Sequence, residues 1–587
     1  MKEKYRQILM KRFSIPREES IQKNIKTFSP SEKMLFFFLV AVFILSSLFI
    51  LSNINNLFLV EVPAKGGSFA EGIVGSPRFI NPLLSNSDTD RDLTALVYSG
   101  LLKATPDGDL IEDLAESFTI SDDGFIYDFT IRDDVYFHDG TPVTADDVVF
   151  TIGKAQDPGL KSTKRASWDG ITVEKISERQ VRFTLKQPYG PFLENTTLGI
   201  LPKHIWVKAG TEQFSFSKFN NEPIGSGPYK IKKIKYNSGG TPESYEFKSF
   251  GKYALGEPSI SNIKIVFYPS ESDLIEGYKK GEVDGINSIA PDKLGELGKM
   301  NVRIERSPLP RIFAVFFNQN EAQVFANKEV RRALDIALDK KRIVEEVLGG
   351  YGTSIDGPIP PRVLKPSKEK IRAQKAINPA ERKDLATEIL EDGGWTFSEE
   401  FGVWEKKTKK EESQLRFSLS TSDTPELKAA AEIIAEEWRD LGADVTLKVF
   451  EAGDLNQNII RPRKYDALLF GEIISRELDL FAFWHSSQRN DPGLNIALYA
   501  NITADKLLEN ARAATDRNVM IDNYRKFEDE VDEDVPAVFV YSPDFIYVTP
   551  KNIKALELGA VTTPSERFLN VHEWYIETDK IWNFFEN

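Results

Sequence analysis

Residues 34–60, MLFFFLVAVFILSSLFILSNINNLFLV, carry no charged side chain. A helix of about 20 apolar residues crosses the ~30 Å hydrocarbon core of a bilayer, so this stretch is long enough to span one. Nine basic residues precede it (Lys2, Lys4, Arg6, Lys11, Arg12, Arg17, Lys23, Lys26 and Lys33) with only four acids among them. Positive flanks stay cytoplasmic, so the bulk of the chain is expected outside, periplasmic or at the cell surface, behind a single-pass anchor. The alternative is a cleaved signal peptide. The run is long for a signal's apolar region, and no clear small-x-small cleavage site follows it. The expected division is a basic leader 1–33, an anchor 34–60 and a tether 61–69, EVPAKGGSF.

The chain has 587 residues. At about 150 residues per domain that is three or four domains, or one multi-lobed body. A net charge of −14 argues against nucleic acid as partner, because phosphate binding needs a basic face. Cysteine is absent, which removes disulfides, thiolate metal sites, Cys nucleophiles and a lipid-attachment cysteine together. The four histidines, His138, His204, His485 and His572, are far apart and form no HExxH. Neither a metal nor any other cofactor is expected.

Periodicity places strands and helices. FIYDFTIRDDVYF (125–137) and QVRFTLKQ (180–187) alternate apolar and polar residues, as half-buried strands do. NKEVRRALDIAL puts Val330, Ala333, Leu334, Ala337 and Leu338 on one helical face, with Asn327 as cap. LRFSLST (415–421), the amphipathic run from Leu427 to Leu441, the stop at Gly442 and VTLKV (445–449) form a strand–helix–strand unit, hence a parallel pair. FGVWEKKTKKEES (401–413) reads as a charged hairpin or loop, and EDEVDEDV (528–535) as a solvated helix end.

VYFHDGTPVTADDVVF (135–150) clusters His138, Asp139, Asp146 and Asp147, residue types that serve as catalytic groups or metal ligands. Each also has a structural role. Asp139-Gly140 is a turn, Thr144 a helix N-cap, and Asp146 and Asp147 lie in a first helical turn, where negative charge favours the dipole. The structural reading is preferred. DTDRD (88–92) fails as a calcium loop, since Leu93 and Ser99 stand where Gly and Glu are needed. GSG at 225–227 lacks a Walker lysine and is followed by Pro228, so it is read as a tight turn. No G-x-S-x-G elbow occurs, and no carboxylate pair stands out for glycoside hydrolysis.

The strand followed by F-H-D-G-x-P-x-T-A-x-D-V-x-F resembles the signature of the family-5 extracytoplasmic solute-binding proteins of peptide and nickel ABC importers. Further segments resemble the family in the same order: GSPRFINPLL (75–84), LIEDLAESFTISDDGFIYDFTIR (110–132), PIGSGPYKI (223–231), GEVDGI (281–286), VRRALDIALDKKRIVEEVLGGYGTSIDGPIPP (330–361) and LLENARAATDRNVMIDNYRKFEDEVDEDVPAVFVYSP (507–543). The resemblance implies an α/β, two-lobed periplasmic-binding-protein-like fold (type II, cluster C) with an extra inserted lobe. It also implies a two-segment hinge and a ligand buried between closing lobes. The implied layout is lobe I in 70–98, 196–285 and 542–587, an inserted lobe II in 99–195 and lobe III in 286–541. It implies no catalysis. The partners implied are a peptide or other small-molecule ligand and ABC permease subunits in the membrane, with the chain itself a monomer. The alternatives are a surface sensor on the same scaffold, which 33 cytoplasmic residues are too few to equip with a signalling domain, and a surface hydrolase without a recognisable nucleophile motif.

The resemblance also places the site. The segment after Asn81-Pro82 supplies Ser85, Asn86, Ser87 and Asp88, which are otherwise an ordinary polar loop. Trp168 falls where peptide binders present an aromatic ring, and is otherwise a core residue. Phe316 and Asn318 sit on the strand implied to line the cleft, with core packing the competing role. KYDALLFGEIISRELDLFAFW (464–484) departs from the family. Where peptide binders often show Gly-Trp-x-x-Asp, the aspartate pairing with the ligand's amine, this chain has Gly471, Glu472 and, in the aspartate's place, Ser475. Either Glu472 supplies the anion or the ligand is not a free-amine peptide, a metal chelate being the other option.

Overall fold

The structure is a computed structural model that describes residues 25, 27–297, 302–361, 379–407, 412–474, 478–514, 516–559 and 561–582. It divides into two units, residues 1–64 with 578–587, and residues 65–577.

In the first unit a helix runs over Pro30–Phe58. Ser29 caps it, with its backbone N–H donating to Glu32 Oε2 at 2.8 Å, and Pro30 opens the first turn. Apart from Phe36, its large apolar side chains from Met34 to Ile54 are exposed. By length and composition it can cross a membrane. The strand Leu59–Pro63 follows and pairs antiparallel with Thr578–Trp582. The segment expected as a tether is therefore not loose. Its first residues pair with the C-terminal strand, and 66–69 open a strand of the second unit.

The second unit is built on a 12-stranded sheet. Its centre is the strand Ala537–Pro550. Residues 537–541 pair with Arg311–Phe317, and residues 544–550 with Val302–Pro308. On the first side the order continues through Ala467–Ile473, Arg416–Ser422 and Asp444–Phe450. On the second it runs through Gly285–Asn287, Gly66–Val74, Ile260–Tyr268, Pro242–Ser249 and Tyr229–Tyr236. The chain thus passes between the two halves at residues 309–310 and again at 542–543. Leu309 N–H donates to Pro543 O at 2.9 Å and Ser542 Oγ to Leu309 O at 2.6 Å, tying the two passages together. Both Gly285–Asn287 and Val302–Pro308, beyond the lobe boundary expected at 285/286, pair in the second half.

Both faces of the first half are covered. The strand Arg311–Phe317 sends Val315 and Phe317 into one core and Ile312, Ala314 and Phe316 into another, the period of two expected of a strand. The helix Pro425–Leu441 covers the first face, and Ile502–Ala513 and Arg517–Asp534 the second. Gly442, at φ 102°, ends Pro425–Leu441, and the strands on either side of it, Arg416–Ser422 and Asp444–Phe450, run parallel. Residues 115–184 contribute a separate four-stranded antiparallel sheet. Its core is continuous with that of the second half of the large sheet.

The 135–150 motif is a set of joints. The helix Ala145–Gln156 begins behind Thr144, and Asp147 Oδ2 accepts from the Thr144 N–H at 2.9 Å while its Oδ1 accepts from Lys203 N–H at 2.8 Å. Asp146 pairs with Lys175 and Lys203. His138 clamps the GSG turn: Gly225 N–H donates to Nδ1 at 3.4 Å, so Nε2 carries the proton and donates to Gly227 O at 3.1 Å. Burial lowers its pKa to about 4, which keeps the ring neutral.

Candidate ligand site

A cavity of about 490 Å³ lies within the second unit, a volume typical of small-molecule sites. One wall is the helix Asp88–Val97, presenting Arg91, Thr94 and Ala95, with the following loop, Tyr98 to Gly100, and the short strand Leu102–Ala104. Residues 164–168 and 194–199 form the second wall, and 562–569 the third. Ile473 and Ile474, at the end of the strand Ala467–Ile473, close it from the other half of the sheet, Ile473 being 62% exposed.

The polar end of the cavity is Lys103, Asp113 and Tyr253. Lys103 Nζ donates to Tyr253 Oη at 2.8 Å. Burial lowers the lysine's pKa against the opposing charges of Asp113 and Glu573, and pushes the Asp113 carboxyl up to about 6. Asp113 Oδ1, Tyr98 Oη and Thr94 Oγ1 are buried and make no hydrogen bond.

The expected site residues divide. Ser85 and Trp168 line the cavity. Trp168 is also buried against Phe183 and Phe192, ring centroids 5.8 and 6.0 Å away. Asn86, Ser87 and Asp88 do not line it. Ser87 caps the helix Asp88–Val97, Asp88 binds Arg91 Nη1 at 2.7 Å, and Asn86 O accepts from Arg91 Nη2 at 2.6 Å; together they fix the arginine that does face the cavity.

The residues of the other half of the sheet lie elsewhere. Phe316 is core, 6.2 Å from Trp484. Asn318 is a turn residue, its Nδ2 donating to Arg463 O and its Oδ1 accepting from Asn320 and Glu321 N–H. Gly471 faces Phe313 across the ladder, and a Cβ there would come 2.7 Å from the phenylalanine ring. Glu472 pairs with Ile312 and so shares its inward face. It is 3% exposed, neither carboxylate oxygen has a hydrogen bond, and burial holds its carboxyl well above the usual range. Ser475 lies outside the described residues.

Lys103, Asp113, Tyr98 and Tyr253 were not singled out in the sequence. The one available signal was Lys103 itself, a lone charge in ALVYSGLLKA (95–104). Tyr253 is 150 positions away and only the fold brings it near. Among the described residues no group of three or more His, Asp or Glu side chains has metal-binding geometry.

Comparison with known proteins agrees with this architecture. The oligopeptide-binding protein AppA of Bacillus subtilis is 29% identical over 521 residues, covering 88% of this chain and 92% of its own. Its structure in complex with a nonapeptide superposes with a TM-score of 0.62 at 27% identity, over 88% of this chain and all of that one. NikZ of Campylobacter jejuni, solved in complex with Ni(L-His), gives a TM-score of 0.63 at 28% identity, over 86% of this chain and 99% of its own. Residues 109–491 match the middle region of a family described as bacterial extracellular solute-binding proteins, family 5, and the chain belongs to that family.

Proposed function

We propose that this chain captures a peptide or similar small solute in the cavity of its second unit and hands it to the permease of an ABC importer. The observation that carries the reading is the cavity itself, lined from both halves of the sheet, with Lys103, Asp113 and Tyr253 at its polar end. In this reading lobe I holds the second half of the sheet, lobe II the inserted residues 99–195, and lobe III the first half. The paired passages at 309–310 and 542–543 are the hinge on which lobes I and III close. The basic leader and the helix Pro30–Phe58 hold the protein at the membrane with its bulk extracytoplasmic, as a monomer.

Two measurements test this. Protease added to intact cells is expected to remove the chain beyond about residue 60 and spare the leader; release into the medium of a form beginning near residue 61 would refute the anchor. Calorimetry of the full chain with a defined peptide mixture is expected to show saturable heat that the substitution Trp168→Ala weakens. Heat unaffected by Trp168→Ala and by substitutions at Arg91 would mean that the cavity is not the site.

A further inference from the structure

The charged end of the cavity has a polarity of its own. Lys103 is half-buried, and its ammonium makes one hydrogen bond, to the neutral phenol of Tyr253, and no ion pair among the described residues. The Tyr253 ring also lies beneath it, 5.2 Å from Nζ, so ring and hydroxyl fix the direction of the side chain. Burial lowers the lysine's pKa, and the charges of Asp113 and Glu573, neither of which binds it, oppose that. Two of the three ammonium hydrogens are thus left over. On the same wall the Tyr98 hydroxyl is buried and has no partner. The other cations of the wall are less free: Arg91 is held by Asp88 and Asn86 O, and Lys164 has further interactions.

We propose that Lys103 anchors an anionic end of the ligand, with Tyr98 Oη donating to the same group, so that the solute is bound by a carboxylate where lobe I meets the start of lobe II. The inference rests on the binding role proposed above and adds the chemical class of the ligand. Asp113 and Tyr253 are positioning residues, acting through the lysine. Ile473 and Ile474 supply apolar lining that suits a side chain of the solute.

The test uses two equimolar random tripeptide libraries, one of free acids and one of C-terminal amides, equilibrated with the full chain; retained species are counted by mass spectrometry. The wild type is expected to retain free acids over amides by about tenfold or more, since loss of one charge-assisted contact in a closed site exceeds 1.4 kcal/mol, the equivalent of tenfold. Lys103→Met brings that ratio to about one, and Lys103→Arg, which keeps the charge, preserves most of it. Tyr98→Phe removes only the hydroxyl, keeps the packing and lowers the ratio several-fold, so the inference is read even if Lys103→Met fails to fold. Retention of acids and amides alike by the wild type, or an unchanged ratio in Lys103→Met or Tyr98→Phe, would overturn this inference and leave the binding role standing. Retention of neither library would overturn the peptide-binding reading and this one with it.

Discussion

Arg567→Met removes the most heavily bonded buried charge in the second unit. The guanidinium is fully buried. Nε donates to Glu71 Oε1, Nη1 to Asp92 Oδ1 and Nη2 to Asp92 Oδ2, each at 2.8 Å, and Nη1 also donates to Pro564 O at 2.6 Å. Tyr547 Oη and Asn287 Nδ2 complete Glu71. These bonds join the strand Gly66–Val74, the helix Asp88–Val97 and the segment 562–569 that forms one cavity wall. Removing the arginine leaves two carboxylates facing each other in the core, a loss of about 3–5 kcal/mol. Burial already raises Asp92 to about 6 in spite of Arg567. A carboxyl whose folded pKa lies above its unfolded value binds its proton first in the folded state, so acid favours the fold. Without the arginine that pKa rises further, and the deficit of the variant therefore shrinks from pH 7.5 to pH 5. Urea unfolding followed by tryptophan fluorescence measures both, since Trp574 lies against Phe568 and Tyr547. A loss below about 1 kcal/mol, or a deficit equal at the two pH values, would refute the reasoning.

Three other substitutions follow from the same physics. Glu472→Met takes away a buried carboxyl whose one neighbouring donor, the Trp484 indole, does not offset its burial, so stability is expected to rise by about 1–3 kcal/mol at pH 8 and to change little at pH 5, because the raised carboxyl is protonated there; urea midpoints at the two pH values check it, and a lower midpoint at pH 8 would show that the contact with Trp484 outweighs the burial. Gly471→Ala drives a methyl into the Phe313 ring and is expected to cost about 1–3 kcal/mol in the same assay, with the heat of peptide binding per folded molecule unchanged. His138 is expected to titrate near 4 by NMR; since its pKa is depressed on folding, it withdraws stability as pH falls from about 6.5 to 4, and His138→Ala, which unpairs Gly225 N–H and Gly227 O, costs about 1–3 kcal/mol at neutral pH.

What was legible in the sequence was local. The amphipathic run from Leu427 to Leu441 ends at Gly442 because a left-handed residue is needed there, and both facts lie within twenty residues. The FHDG turn and its helix cap were legible for the same reason, and the ordered motifs indicated the family. The cavity was not, because its parts meet only across the fold. Glu472 stood in a segment whose family counterpart reaches the ligand, yet its direction is set by register with Ile312, some 160 residues earlier. A shift of one residue would have turned it to the opposite face. Asn86, Ser87 and Asp88 precede or open the helix that forms one cavity wall, but helix capping turns their polar groups to Arg91 and the backbone. The passage at 309–310 depends on Val302–Pro308 pairing with a strand more than 200 residues away, which no local pattern encodes.

The central claim, that a small solute occupies this cavity, is tested most directly by mass spectrometry of the full chain purified from its own membranes and then denatured. A second preparation carries Ala95→Trp, which places an indole in the cavity wall. The account predicts that the wild type releases a small acid in near-stoichiometric amount and that Ala95→Trp, equally folded by circular dichroism, releases none. Release of the same molecule in the same amount by both proteins would contradict it.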